Sequence, residues 1–235
     1  MTNAPKALVS DPIASTLMSA SIGFARRAVE LSKASSWDRV SEPTIQHEIE
    51  NRRVIEHTIG AIIVAVAGVE GMINEILAGS ADRFARRDSM RNVDAKAYAR
   101  WARLWNEGAF DRRLNAHEKC ELALTVADLP PLPSDRKAIE DMKALIALRN
   151  ELVHSEPKFR PHGLDLPQKE RDALERKLIS KFTDNELVPK HAPFIWQRCL
   201  GVGCAKWSVE TVSAFQNVFF SALGIPIHSE IRWDG

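Results

Sequence analysis

Cysteine is scarce in this chain: three residues, Cys120, Cys199 and Cys204, among 235, with no CxxC pair. That excludes a disulfide framework of the secreted kind and fits a reducing compartment, so a cytoplasmic location is expected. His191, Cys199 and Cys204 carry atoms that ligate metals, but their spacing matches no common zinc pattern, and free buried thiols are expected instead. HExxH is missing too. "HEIE" at 47 and "HEKC" at 117 have Asn51 and Glu121 where the second histidine would stand. Excess charge of either sign is also absent: 32 Lys and Arg against 31 Asp and Glu leave a net +1. Nothing draws the whole chain toward nucleic acid or a membrane, so any anion site must be local. The longest apolar run, "IGAIIVAVAGV" from Ile59 to Val69, is about half of the roughly 20 residues a bilayer crossing needs. No apolar segment behind a basic start opens the chain, so neither a membrane partner nor an export signal is expected. "GVGCAK" at 201 lacks a third glycine and a preceding strand, which excludes a dinucleotide loop. No cofactor and no metal is expected.

Alternation of apolar and polar residues over strand lengths is lacking as well, while helical periodicity is nearly everywhere. The expected fold is all-α, an up-and-down helical bundle with additional peripheral helices. A first amphipathic helix spans about 14 to 33, with Ile22, Ala25, Val29 and Ser32 near one face, and a loop with Trp37 and Pro43 follows. A long helix over about 44 to 77 starts charged and turns apolar on nearly every side before Gly79 and Ser80 end it; such a helix belongs at a bundle's centre. Residues 81 to 113 are basic and bear aromatics. Another helix covers about 115 to 127 with Asn115 as its cap, and "LPPLPS" then breaks the chain. Ser134 is placed to cap the next helix, which ends before the Glu156–Pro157 step. A charged helix near 168 to 182 and a last amphipathic one near 205 to 223 complete the series. A boundary near 185 would make 186–235 an extension packing on the bundle. The last helix, however, carries Trp207, Val209, Val212, Phe215, Phe219 and Leu223, which must bury against something. One domain over 1–235 is therefore preferred.

One position breaks the pattern. At about 100° per residue, Ile139, Met142, Leu145, Ile146, Leu152 and Val153 form an apolar arc, and Arg149 falls within roughly 20° of its centre. A guanidinium stays charged, so in such a place it needs a carboxylate, a bound anion or water. Glu70 and Asn74, one turn apart just past the apolar run of the central helix, are the polar groups best placed to reach it; capping that core is their ordinary role. His154 lies about 140° from Arg149 on a regular helix, so the two do not stack on one face, and a joint site needs a loosened helix end or a second copy.

Arg–His pairs five apart also occur at Arg52/His57 and Arg112/His117. Only Arg149 has Asn150 after it, an apolar helix before it and a proline break three residues past the histidine. "ALRNELVHSEP" resembles the signature of the HEPN superfamily, small helical bundles whose motif is Arg, commonly a polar residue, and a His near a helix end. "VEGMINEIL", Val69 to Leu77, resembles the second long helix of such bundles, and "CAKWSVETVSAFQNVFFSALG" resembles closing helices of uncharacterised relatives. The resemblance implies a metal-independent endoribonuclease, a toxin or antiviral-defence effector with a cognate antitoxin or regulatory partner. It also implies a homodimer in which two motifs meet across a two-fold axis. Arg149, Asn150 and His154 would be catalytic. The alternative it implies is a non-catalytic module for dimerisation, nucleotide binding or partner binding.

A weaker signal lies in 83 to 113, where nine basic residues outnumber four acidic ones among aromatics. Arg100, Trp101, Arg103 and Trp105 are candidates to follow an RNA backbone and stack bases, against the alternative of a solvated face whose aromatics are core.

Overall fold

The computed structural model describes residues 13–35, 44–81, 93–110, 113–133, 136–154, 171–190 and 192–225. Trp37, Pro43, Ser134, Glu156, Pro157 and His191 lie outside them. The chain is all-α: α1 (Ile13–Ala34), α2 (Ile45–Ala81), α3 (Ala95–Asn106), α4 (Ala116–Val126), α5 (Lys137–Val153), α6 (Arg171–Leu178), a π-helical turn (Phe194–Arg198) and α7 (Val202–Ala222), with no strand among the described residues.

Small side chains govern the first contact. Along α1 the buried residues Ala14, Met18, Ser21, Ala25 and Ala28 are spaced alternately four and three apart, and so are Val54, Thr58, Ala61, Ala65, Gly68 and Met72 on α2. That spacing produces an antiparallel seam in which short side chains let the backbones close in. The amide of Ala14 donates to Glu75 Oε1 (2.9 Å) at one end, and Ser35 Oγ donates to Glu50 Oε2 (2.8 Å) at the other. A Cβ added to Gly68 would stand 2.8 Å from Met18 Sδ, and one on Gly60 would stand 2.9 Å from the Phe24 ring. Helix α5 also meets α2, but α1 covers most of it, through a face richer in Ala, Ser and Gly than in large apolar side chains.

Helices α7, α3, α5 and α4 complete the ring around α2. Ile62, Val66, Val69, Ile73 and Leu77 are fully buried there. By length and composition alone α2 would suffice to cross a bilayer, with half of its most apolar window buried in the fold. It also runs on through Gly79 and Ser80, where the sequence reading stopped it. Ser80 Oγ donates back to the Leu77 carbonyl (2.6 Å) and Tyr98 Oη to that of Gly79 (2.8 Å), so the last-turn carbonyls have partners. Helix α4 starts at the cap read from sequence: Asn115 Oδ1 accepts from the Glu118 amide (3.1 Å), and Glu118 Oε2 accepts from that of Asn115 (2.8 Å). On α7, Trp207, Val209, Val212, Phe215, Phe219 and Leu223 are all buried, and all but Val209 belong to the main hydrophobic cluster together with residues of α2 to α6.

Candidate functional site

Helix α5 carries the motif into this frame. Ile139, Met142, Leu145, Ile146 and, beyond the arc read from sequence, Leu148 are buried. Arg149 follows them inward with 18% of its side chain exposed, and its Nη2 donates to Glu70 Oε1, the carboxylate reached across 79 residues of sequence. Its Nε is buried without a hydrogen-bond partner. One amine of the guanidinium fork is thus held by α2, while the Nε edge of the fork has no partner among the described residues.

The helix then ends. His154 is the C-terminal cap residue, its amide donating to the Asn150 carbonyl (2.9 Å), and its ring is exposed. Asn150 is exposed as well. Val153, expected on the apolar arc, is instead 47% exposed. Asn150, Val153 and His154, spaced three and one, are all exposed on the last turn, while Arg149 points inward. Within one chain the structure brings Arg149 to Glu70, and it leaves His154 on the far side of the helix.

Asn74 lies one turn past Glu70 and holds a different cation. Its Oδ1 accepts from Lys119 Nζ (2.9 Å), and Lys119, on α4, is 6% exposed. Two residues earlier, His117 packs at 6.2 Å from the Phe215 ring with its Nε2 unbonded and 3.6 Å from Glu121 Oε1. Burial and the neighbouring Lys143 lower its pKa below the ordinary histidine value, against a smaller upward pull from Glu121 and Glu118.

The basic aromatic segment divides in two. Trp101 is fully buried with its Nε1 donating to the Ala123 carbonyl (2.8 Å), so it is a core residue and cannot stack a base. Trp105 packs partly buried against the same core. Arg100 and Arg103 are exposed, but Arg100 bonds the Val126 carbonyl and Asp128 (2.8 and 2.7 Å) and Arg103 bonds Glu107 (2.8 Å).

Sequence reasoning missed two polar hubs. Asp141, 3% exposed on the inner face of α5, accepts from Lys137 and Lys181. Burial would raise its carboxyl pKa, but the bonds and charges of the two lysines outweigh that and hold it below the ordinary value. Asn185, 4% exposed, donates to Asn51 Oδ1 on α2 (3.0 Å), while its own Oδ1 accepts from the Leu187 amide (3.0 Å). The glycines of "GVGC" serve that loop: a Cβ on Gly201 would lie 2.7 Å from Asn185 Cα, and one on Gly203 2.5 Å from the Thr183 carbonyl oxygen. The three cysteines are free and buried; burial pushes Cys199 up to about 12 and raises the other two as well, which keeps the thiols protonated and unreactive. Among the described residues no three His, Cys, Asp or Glu side chains gather as a metal set would. Compared with protein-family models, with curated proteins and with solved structures, the chain matches none of them.

Proposed function

We propose that the chain is a metal-independent endoribonuclease of HEPN type that works as a homodimer. The observation that carries this reading is the end of α5: a guanidinium held half inside by Glu70, and on the outer side of the same turn Asn150 and His154 flanking an exposed Val153. A two-fold axis beside this exposed turn would let it meet its own copy. Such pairing gives each half-site the second histidine it lacks. Cleavage of RNA by its own 2′-hydroxyl then follows from ordinary acid–base chemistry. One His154 takes the 2′-hydroxyl proton as the oxygen attacks phosphorus, and the second copy's His154 protonates the departing 5′-oxygen, leaving a 2′,3′-cyclic phosphate and a free 5′-hydroxyl. Arg149 holds the charge that builds on the phosphorane oxygens, and Asn150 orients the imidazole or the phosphate. A toxin or antiviral-defence effector in the cytoplasm, restrained by a cognate antitoxin or regulatory partner, is the cellular role that matches this chemistry.

A second reading is favoured by the Arg149–Glu70 pair itself. With its guanidinium committed to α2, Arg149 serves as a tie between helices, and the chain is a HEPN-like module for dimerisation, nucleotide or partner binding. One experiment separates the two. Purified protein is sized by sedimentation at micromolar concentration and incubated with generic single-stranded RNA, with and without chelator, beside His154→Ala. A dimer that cleaves regardless of chelator, and a folded His154→Ala protein that does not, is the expected outcome. A monomer, or cleavage that survives the substitution, leaves the binding-module reading in its place.

A further inference from the structure

The first turns of α2 carry an outer face that the bundle does not use. Residues 45 to 55 are anchored from one side: Val54 is fully buried, and Asn51 accepts from Asn185 Nδ2 (3.0 Å). At about 100° per residue the opposite side holds Ile45, Glu48, Ile49 and Arg52, with Ile55 at its edge. Ile45 is 79% exposed and Ile49 42%, and both charged side chains are exposed as well. Glu48 and Arg52 stand one turn apart, a spacing at which opposite charges commonly pair along a helix. Neither forms a salt bridge among the described residues. An open groove of about 370 Å³ follows this face, lined by Ile45, Glu48, Ile49, Asn51, Arg52 and Ile55.

The order of these residues decides what fits there. Ile45, Glu48, Arg52 and Ile55 follow one another at intervals of three, four and three, the spacing of a helix seam, and those intervals read the same from either end. Reversing the helix exchanges the two isoleucines with each other and Glu48 with Arg52. A copy of the same segment laid antiparallel about a two-fold axis therefore sets Ile45 against the copy's Ile55 and Glu48 against the copy's Arg52, each contact made twice. A parallel copy would set like charge on like charge. We propose that this face of α2 binds the same face of a second copy of the chain, as a short antiparallel helix pair closed by two Glu48–Arg52 ion pairs between the copies. Glu70 lies about five turns, or about 27 Å, further along α2. The seam is thus separate from the α5 turn at which the ribonuclease reading joins its half-sites, and it does not depend on that reading. A chain that makes both two-fold contacts assembles beyond the dimer, into a closed tetramer or an open row.

The test is sedimentation of the full chain at about 10–200 μM, because a seam of three turns belongs to the small end of interface sizes. Wild type is compared with Glu48→Arg, with Arg52→Glu and with the exchange that carries both substitutions. Both side chains are exposed, so the fold should persist in all of them. Each single reversal sets like charges against each other at both contacts and should weaken association by about a hundredfold, which halves the observed mass. The exchange should restore the wild-type mass. So should an equimolar mixture of the two single variants, in which opposite charges meet only between unlike chains. Raised salt should weaken the wild-type association. A wild type that is monomeric throughout, single variants with unchanged mass, or an exchange variant and a mixture that both stay dissociated would overturn the proposal. RNA cleavage is read on the same samples. Charge variants that behave as expected beside a wild type that does not cleave RNA retain the α2 seam and remove the ribonuclease reading; an active ribonuclease whose mass ignores the charges at 48 and 52 does the reverse.

Discussion

Removing Glu70 and Arg149 singly and together distinguishes a tie from a tool. Glu70→Leu leaves the guanidinium mostly covered with no carboxylate. Breaking a fully buried pair from one side costs about 3–5 kcal/mol. Here the two side chains keep 18% and 33% of their surface exposed, so solvent screening brings the cost to about 1–3 kcal/mol. Arg149→Leu should cost less, because Glu70 is the more exposed partner and can turn to water. The double variant, two apolar side chains in place of the pair, should approach wild-type stability, so the coupling energy should be close to the sum of the two single losses. For a chain of this length each kcal/mol moves the melting temperature by roughly 2–4 °C. Thermal and urea unfolding of the four proteins therefore resolves the cycle. Activity should separate from stability: Glu70→Leu keeps RNA cleavage at temperatures where it is folded, while Arg149→Leu loses it. Additive stabilities would refute the claim that the ion pair joins α2 to α5, and cleavage by Arg149→Leu would refute its role on the phosphate.

Gly203→Ala places a methyl 2.5 Å from the Thr183 carbonyl oxygen, a backbone atom that cannot turn aside, and should cost about 1–3 kcal/mol by urea unfolding, although alanine is the better helix former. His117 is held neutral by burial and Lys143; its folded pKa lies below its unfolded one, so its contribution is constant above about pH 6.5 and stability falls as pH drops through the lowered value, a limb that His117→Gln should flatten in a stability–pH curve. Asp141 has its carboxyl pKa lowered by Lys137 and Lys181 against the effect of burial; the stability it adds is complete above its unfolded pKa near 4 and disappears below it, and Asp141→Asn should lose that acid limb while unfolding more readily at neutral pH.

How far the sequence could be read depended on whether a feature was regular, charged or local. The buried face of α7 was legible because large apolar side chains repeat at the helical period from Trp207 to Leu223. The Arg149–Glu70 contact was legible because a permanent charge inside an apolar arc demands a counter-charge, and few carboxylates sat in reach. Seams of small residues were legible only in part: Ala25 was placed on the buried face, but Ala14, Ser21, Gly60 and Gly68 also bring α1 onto α2 through short side chains that carry little hydrophobic signal. Asp141 drew no reading from the sequence, because one of its lysines, Lys181, is 40 positions away. Trp101 looked available for base stacking because its charged neighbours mask the core it enters. Helix α2 outran its glycine because Tyr98, far along the chain, bonds the Gly79 carbonyl. Val153 was misplaced by assuming that the apolar arc continued to the helix end, where the core no longer does.

The α1–α2 seam also sets an order of events. Its contacts close within a single hairpin of neighbouring helices, whereas Glu70 meets Arg149 across 79 residues and Asn51 meets Asn185 across 134. Closing the longer loops costs more chain entropy, so the hairpin forms early and the two polar clasps form on top of it. Substitutions at the clasps should then speed unfolding and leave the refolding rate almost untouched, while enlarging Gly68 should slow refolding itself. The scaffold is in that sense kinetically independent of the chemistry it carries: the phosphate-facing residues can change, or be lost, without altering the route by which the chain reaches its fold.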